Sequence, residues 1–233
     1  MPGLLFTSKD ADARGPLMVW VNGAGKAVDA GPGGPILRRV GDGHRVLALD
    51  LRGFGETAPK EATRGRPDPF GVDVQEAFLG LHLDRPLLGQ RVFDLLAVVA
   101  RMADASPEGI DAVGIGTAGP IVLHAAVLDG RIRHVTLERS LVSWSAVAAM
   151  PLSRDQLTNV VPGALRAYDL PDLAALLAPR ALAIRHPVDP VGAPVPQVQL
   201  DDAYAAAGTA YEQARASEKL HLQAGPPSVS VPE

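Results

Sequence analysis

The sequence predicts an α/β fold with a mostly parallel central sheet and helices on both faces. Two observations carry this. Segments rich in Val, Leu and Ile alternate with amphipathic, Ala- and Leu-rich ones, as parallel strands joined by crossover helices require. Each strand-to-helix junction carries Gly, Pro, Asn or Asp, which supply the turns and caps of such crossovers. A length of 233 residues with 47% hydrophobic content is enough to bury the core of one large domain. We expect that domain over residues 1–224, followed by a Pro/Ser-rich tail over 225–233.

The N-terminus, Met1-Pro2-Gly3-Leu4-Leu5-Phe6, leads almost directly into strand-like sequence. Expected strands are Leu17 to Asn22, Arg45 to Asp50, Ala112 to Ile115, His134 to Glu138, Ala181 to His186 and Lys219 to Gln223. Expected helices are Pro35 to Val40, Leu87 to Asp104, Pro120 to Leu128, Leu170 to Leu177 and Asp201 to Ala214. The 24 glycines and 21 prolines fall mostly between these elements, so they read as punctuation and not as disorder.

Composition removes several function classes. A net charge of −4 provides no broad basic field for phosphate backbones or anionic membranes, so neither nucleic acid nor membrane is an expected partner. With no cysteine there is no disulfide framework, thiolate nucleophile or Cys-ligated metal. His, Asp and Glu do not recur at metal-ligand spacing, and no metal or cofactor is expected. No apolar run reaches membrane-spanning length. We expect a soluble chain, cytoplasmic or secreted from an unseen leader, with homo-oligomerisation open.

The segment Gly114-Ile115-Gly116-Thr117-Ala118-Gly119 supports two chemistries. As G-x-G-x-x-G between strand and helix, with Glu138 placed 19 residues beyond Gly119 to bind a ribose hydroxyl, it fits a dinucleotide-binding oxidoreductase. Such a unit usually opens its domain, whereas two strands and a long helix precede this one. Read as a nucleophile elbow, the same turn needs small residues two before and two after the nucleophile. Gly114 and Ala118 fill those places, and the nucleophile position itself is Gly116. Thr117 is the nearest hydroxyl, but it is one residue out of place and its β-branched side chain tolerates a positive φ poorly.

Further segments decide between them. Val19-Trp20-Val21-Asn22-Gly23-Ala24-Gly25-Lys26 is similar to the strand and oxyanion loop of α/β-hydrolases. Val46 to Thr57 contains Asp50-Leu51-Arg52-Gly53-Phe54-Gly55, which resembles their Asp-x-Arg-Gly-x-Gly turn, and Asp129-Gly130-Arg131-Ile132 follows the elbow helix in the same manner. Val161-Pro162-Gly163 through Tyr168-Asp169-Leu170-Pro171 to Ala178-Pro179-Arg180 resembles acetyl xylan esterase-like and glucuronoyl esterase-like proteins of that superfamily. The resemblance spans most of residues 17–190.

It implies a three-layer α/β-hydrolase fold, a site at the carboxyl ends of the strands, and a triad in the order Ser, acid, His. The nucleophile slot maps to Gly116. The acid maps to Asp189 or to Glu138. The final histidine, His221, lies within the last expected strand and none follows it, so the base is missing from its usual place, and His186 is the histidine expected nearest the cleft. Backbone N–H groups of Gly23, Ala24, Gly25 and Thr117 remain as oxyanion donors that do not depend on side chains. Gly25-Lys26 is not a phosphate loop, because Trp20 stands where its first glycine belongs and Ala27 replaces the Ser or Thr.

Three weaker candidates remain. Arg52 and Glu56 are expected to pair with each other, and Arg91 to be a solvated charge able to reach a carboxylate. Trp144 could stack on a sugar or pack in the core. The sequence therefore reads as a carbohydrate acyl esterase-like protein with a degenerate triad and weak or absent hydrolysis. Its ligand would be a small-molecule or carbohydrate ester, a non-catalytic binding or structural module being the alternative and a dinucleotide oxidoreductase the second.

Overall fold

A computed structural model describes residues 1–9, 15–59 and 73–225. The strands are β1 (Gly3–Phe6), β2 (Leu17–Asn22), β3 (Arg45–Leu49), β4 (Ile110–Ile115), β5 (Ile132–Glu138), β6 (Ala181–Arg185) and β7 (Leu220–Gln223). They form one sheet in the order β1-β3-β2-β4-β5-β6-β7. Only β1 runs antiparallel, pairing Gly3 with Leu49 at the edge. The six expected strands all form, with ends displaced by no more than two residues. β1 has four residues and a mostly exposed side-chain pattern, too short for periodicity to mark it.

β2 is buried along its whole length because the sheet is covered on both faces there. Leu17, Val19 and Val21 point into the larger core with Ala112, Val135, Leu137, Leu182 and Ile184. Met18 and Trp20 point the other way, into a smaller core with Val46, Ala48, Val113 and Ile36. The larger core is closed by α3 (Leu87–Met102), α4 (Gly119–Leu128), α6 (Leu170–Leu176) and α8 (Ala205–Gln213); the smaller one is closed by α1 (Pro35–Gly41). Among the described residues, α1 is the only helix over that second face, so Thr136, Glu138, Ala183 and Arg185 on β5 and β6 stay partly exposed.

The remaining helices are α2 (Val74–His82), α5 (Trp144–Ala149) and α7 (Gln197–Ala203). The single helix expected over Asp201 to Ala214 is instead split between α7 and α8 at Tyr204. Tyr204 is fully buried and its hydroxyl donates to the Val142 carbonyl at 3.0 Å. Burial raises the pKa of this phenol, which keeps it protonated as a donor. α5 has six residues, below the length at which periodicity separates helix from loop. It starts at Ser143, whose hydroxyl accepts from the Ala146 N–H at 3.1 Å. The Asp169 carboxylate joins α5 to α6 by accepting the N–H groups of Trp144 at 2.7 Å, Ser145 at 3.0 Å and Leu170 at 2.6 Å. One acidic side chain thus satisfies donors at two helix starts. The expected tail lies, from residue 226 onward, outside the described residues.

At the carboxyl edge, the loops after β2 and β3 are locked by charge. Lys26 donates to Asp50 at 2.7 Å and also to Glu56, and Asp50 accepts the N–H groups of Lys26 at 2.7 Å and Glu56 at 3.0 Å. Burial pushes the Asp50 pKa up, but the Lys26 ammonium and the two N–H groups outweigh it and hold the carboxyl below its ordinary range. Burial likewise pulls Lys26 down, and Asp50 and Glu56 outweigh it, leaving its pKa raised. Removing one member of such a pair strands the other charge. Lys26→Met should therefore cost about 3–5 kcal/mol in urea unfolding at neutral pH. A depressed Asp50 pKa also gives stability that is present above about pH 3.9 and lost as pH falls through the folded value. That component of the acid slope should be absent in Asp50→Asn.

Candidate active site at the carboxyl edge of the sheet

β4 ends at Ile115, and the chain turns through a single 3-10 turn, Gly116–Ala118, into α4. Gly116 has φ +59, and a Cβ built on it would meet nothing within 4 Å. Its position is that of a residue whose side chain would project from a sharp strand-to-helix turn into open space. Gly119 is constrained differently. A Cβ there would lie 1.9 Å from the Ser140 hydroxyl, so glycine lets α4 approach the segment after β5.

Gly116 opens onto a cavity of about 460 Å³ whose walls include Asn22, Thr117, Phe54, Asp73, Arg139 and Asp155. The Thr117 hydroxyl lies against Gly23, where a Cβ would be 2.1 Å from its oxygen. The Thr117 carbonyl accepts from Asn159 Nδ2 at 2.8 Å. Asp155 and Arg139, neither anticipated from sequence, have φ values of +57 and +49. Non-glycine residues in this region are held there by their surroundings and concentrate at functional sites. Partial burial raises the Asp155 pKa; Arg154 opposes this and the charge of Asp73 adds to it.

Three solved structures share this architecture. A Bacteroides fragilis protein described as an acetyl xylan esterase superposes with a TM-score of 0.74 at 15% identity, over 94% of this chain and 61% of its own. The glucuronoyl esterase catalytic domain from Hypocrea jecorina gives 0.58 at 14% identity, over 97% and 64%. Est1E from Butyrivibrio proteoclasticus, solved with ferulic acid bound, gives 0.60 at 15%, over 95% and 83%. The fold is that of the α/β-hydrolases. The chain spans less than two thirds of the length of the first two of these structures. No protein-family model matches the chain, and no curated protein matches it by sequence.

Within this α/β-hydrolase frame, Glu138 and His186 come together. Glu138 is the last residue of β5 and pairs in register with Ile115 and Arg185, and His186 directly follows β6. The imidazole Nδ1 lies 2.8 Å from the Glu138 carboxylate, which leaves Nε2 available for a proton. Both side chains are partly exposed, and His186 has φ +51. The pair is set aside from the turn, because Arg139, and neither of its members, lines the cavity at Gly116.

Asp189 turns its carboxylate back on its own loop, accepting the N–H groups of Val191 at 2.9 Å and Ala193 at 2.8 Å. His221 stays within β7, on the exposed side of that strand.

Several expectations from sequence are overturned. The oxyanion donors expected at Gly23, Ala24 and Gly25 are already engaged: the Gly23 N–H donates to the Ile115 carbonyl at 3.1 Å, Ala24 to Asn22 Oδ1 at 2.9 Å and Gly25 to the Asn22 carbonyl at 2.9 Å. The loop closes on itself, leaving Thr117 as the expected donor nearest the turn. Trp144 is not a stacking face, being 4% exposed and packed against His124 and Tyr168 at ring-centroid distances of 5.4 and 5.7 Å. Arg52 pairs with Asp94 through two contacts of 2.6 Å, not with Glu56, which goes to Lys26. Arg91 is not solvated. It is fully buried, bonded to Asp73 and to the Arg52 carbonyl at 2.9 Å, with its guanidinium 4.2 Å from the Phe54 ring.

The turn makes a checkable claim about its two glycines. Gly116→Ala should cost about 1 kcal/mol, the torsional penalty of a left-handed residue without a clash. Gly119→Ala should cost about 2–3 kcal/mol through overpacking against Ser140. Urea unfolding of the two variants in parallel checks the ordering, and equal losses would contradict this geometry.

Proposed function

We propose that the cavity at Gly116 binds a carboxylic ester of carbohydrate type, such as an acetylated sugar, and that the chain hydrolyses it weakly or not at all. The observation that carries this reading is the backbone of Gly116. It keeps the positive φ and the open space that a nucleophile at such a turn requires, and it offers no oxygen. The esterase nature of the similar folds supports the choice of ligand class.

Chemistry without a side-chain nucleophile is limited to attack by water. Asp155, which lines the cavity and has a raised pKa, is the group placed to accept the proton, while the Glu138–His186 pair stands outside it. A serine-protease site stripped of its Ser-His-Asp triad keeps only the rate that binding and oxyanion donors provide, about 10³–10⁴ over water. With three of the four expected donors turned inward, the chain should fall at or below this range.

Gly116→Ser tests the reading. Its hydroxyl would stand in the open space of a cavity that Asp155 also lines, so Asp155 is the carboxylate placed to take its proton directly or through one water. We expect p-nitrophenyl acetate turnover to rise at least tenfold over the parent, and the gain to disappear in Gly116→Ser/Asp155→Asn and to survive in Gly116→Ser/His186→Ala. A gain that survives Asp155→Asn and is lost in Gly116→Ser/His186→Ala would assign the proton to His186 instead. A parent that already turns over as fast as Gly116→Ser would refute the reading.

A further inference from the structure

A second cavity, of about 430 Å³, lies on the opposite face of the sheet, between α1 and strands β4 to β6. Its walls combine two kinds of surface. Trp20, Val113 and Ile115, all buried, give an apolar floor. Arg38 from α1, Arg139 after β5 and Arg185 from β6 bring three guanidinium groups to the rim. Arg39, Asp29, Asp42 and Glu138 line the same cavity, and three facts about these carboxylates decide how that charge is used. Asp29 already accepts from Trp20 Nε1 at 2.9 Å and Asn22 Nδ2 at 2.7 Å. Glu138 is bonded to His186 at 2.8 Å. Asp42 stands 3.6 Å from a fourth arginine, Arg39. Among the described residues, Arg38, Arg139 and Arg185 have no carboxylate partner.

Three arginines without a carboxylate partner share one concave surface, and an oxyanion placed among them would supply that partner. The planar guanidinium fork matches phosphate and carboxylate oxygens in pairs. We infer that this cavity is a binding site for a small organic phosphate, with the doubly charged group held by Arg38, Arg139 and Arg185 and the organic body resting on Trp20 and Ile115. A doubly charged phosphate answers three guanidinium groups better than a single carboxylate does, and the apolar floor gives the organic part a place that a bare ion would leave wet. Arg139 and Ile115 also wall the cavity at Gly116, so the two sites meet at the carboxyl end of β4. The inference does not rest on the ester reading.

Titration calorimetry of the intact chain with phenyl phosphate at low salt tests it, with orthophosphate and benzyl alcohol as comparison probes. We expect saturable phenyl phosphate binding at least fivefold tighter than orthophosphate and no binding of benzyl alcohol. Arg38→Gln and Arg185→Gln should each weaken it at least fivefold, while Arg166→Gln, at an exposed position outside the cavity, should leave it unchanged. Thermal unfolding of each variant keeps loss of binding separate from loss of fold. Absence of binding at millimolar ligand, equal binding of orthophosphate, or retention of affinity in both Arg38→Gln and Arg185→Gln would each overturn the assignment.

Discussion

A buried ammonium sets the shape of the carboxyl edge of this sheet. Lys26 lies between Asp50 and Glu56, so the loop after β2 and the loop after β3 cannot move apart without exposing an unpaired charge. The wall of the cavity at Gly116 is built from those same loops through Gly23 and Phe54. A hydrophobic contact would allow sliding. A paired charge bound also to two backbone N–H groups fixes direction as well as distance.

A second buried charge does comparable work from the helical side. Arg91 reaches from α3 to Asp73, the Arg52 carbonyl and the Phe54 ring, tying the loop after β3 to the start of α2. Burial lowers its pKa, and Asp73 opposes that effect. The loops around the cavity are therefore held from two sides by cations that never meet solvent. Both loops are rich in glycine; the loop after β3 also buries Leu51 and Phe54 in the larger core, and polar anchoring adds to that packing.

Much of the scaffold was legible because it is repetitive. Strands β2 to β7 announce themselves by apolar runs, and α3 and α4 by length and the Gly and Pro that precede them. The turn at 114–119 was legible because its glycines stand between a strand and a helix at the spacing a sharp turn requires. What stayed hidden depends on contacts distant in sequence. Arg91 looks like a solvated charge until Asp73 and Phe54 are placed around it, and Trp144 looks presentable until Tyr168 arrives from 24 residues away. Asp155 and Arg139 carry no periodic signal; only the folded backbone reveals their left-handed φ values and their shared cavity. The oxyanion loop is the clearest case. Its residues match the pattern, yet the direction of each N–H is decided by Asn22 and Ile115.

The bare Gly116 backbone has a practical meaning as well. The chain contains no cysteine, so a thiol introduced at 116 would be unique, and it would emerge into open space at the mouth of the cavity. The same geometry that would present a nucleophile would present a single attachment point for a fluorophore or spin label. The fold thus carries a built-in address for a probe beside this cavity, at a position where the added side chain would meet torsional strain but no neighbouring atom.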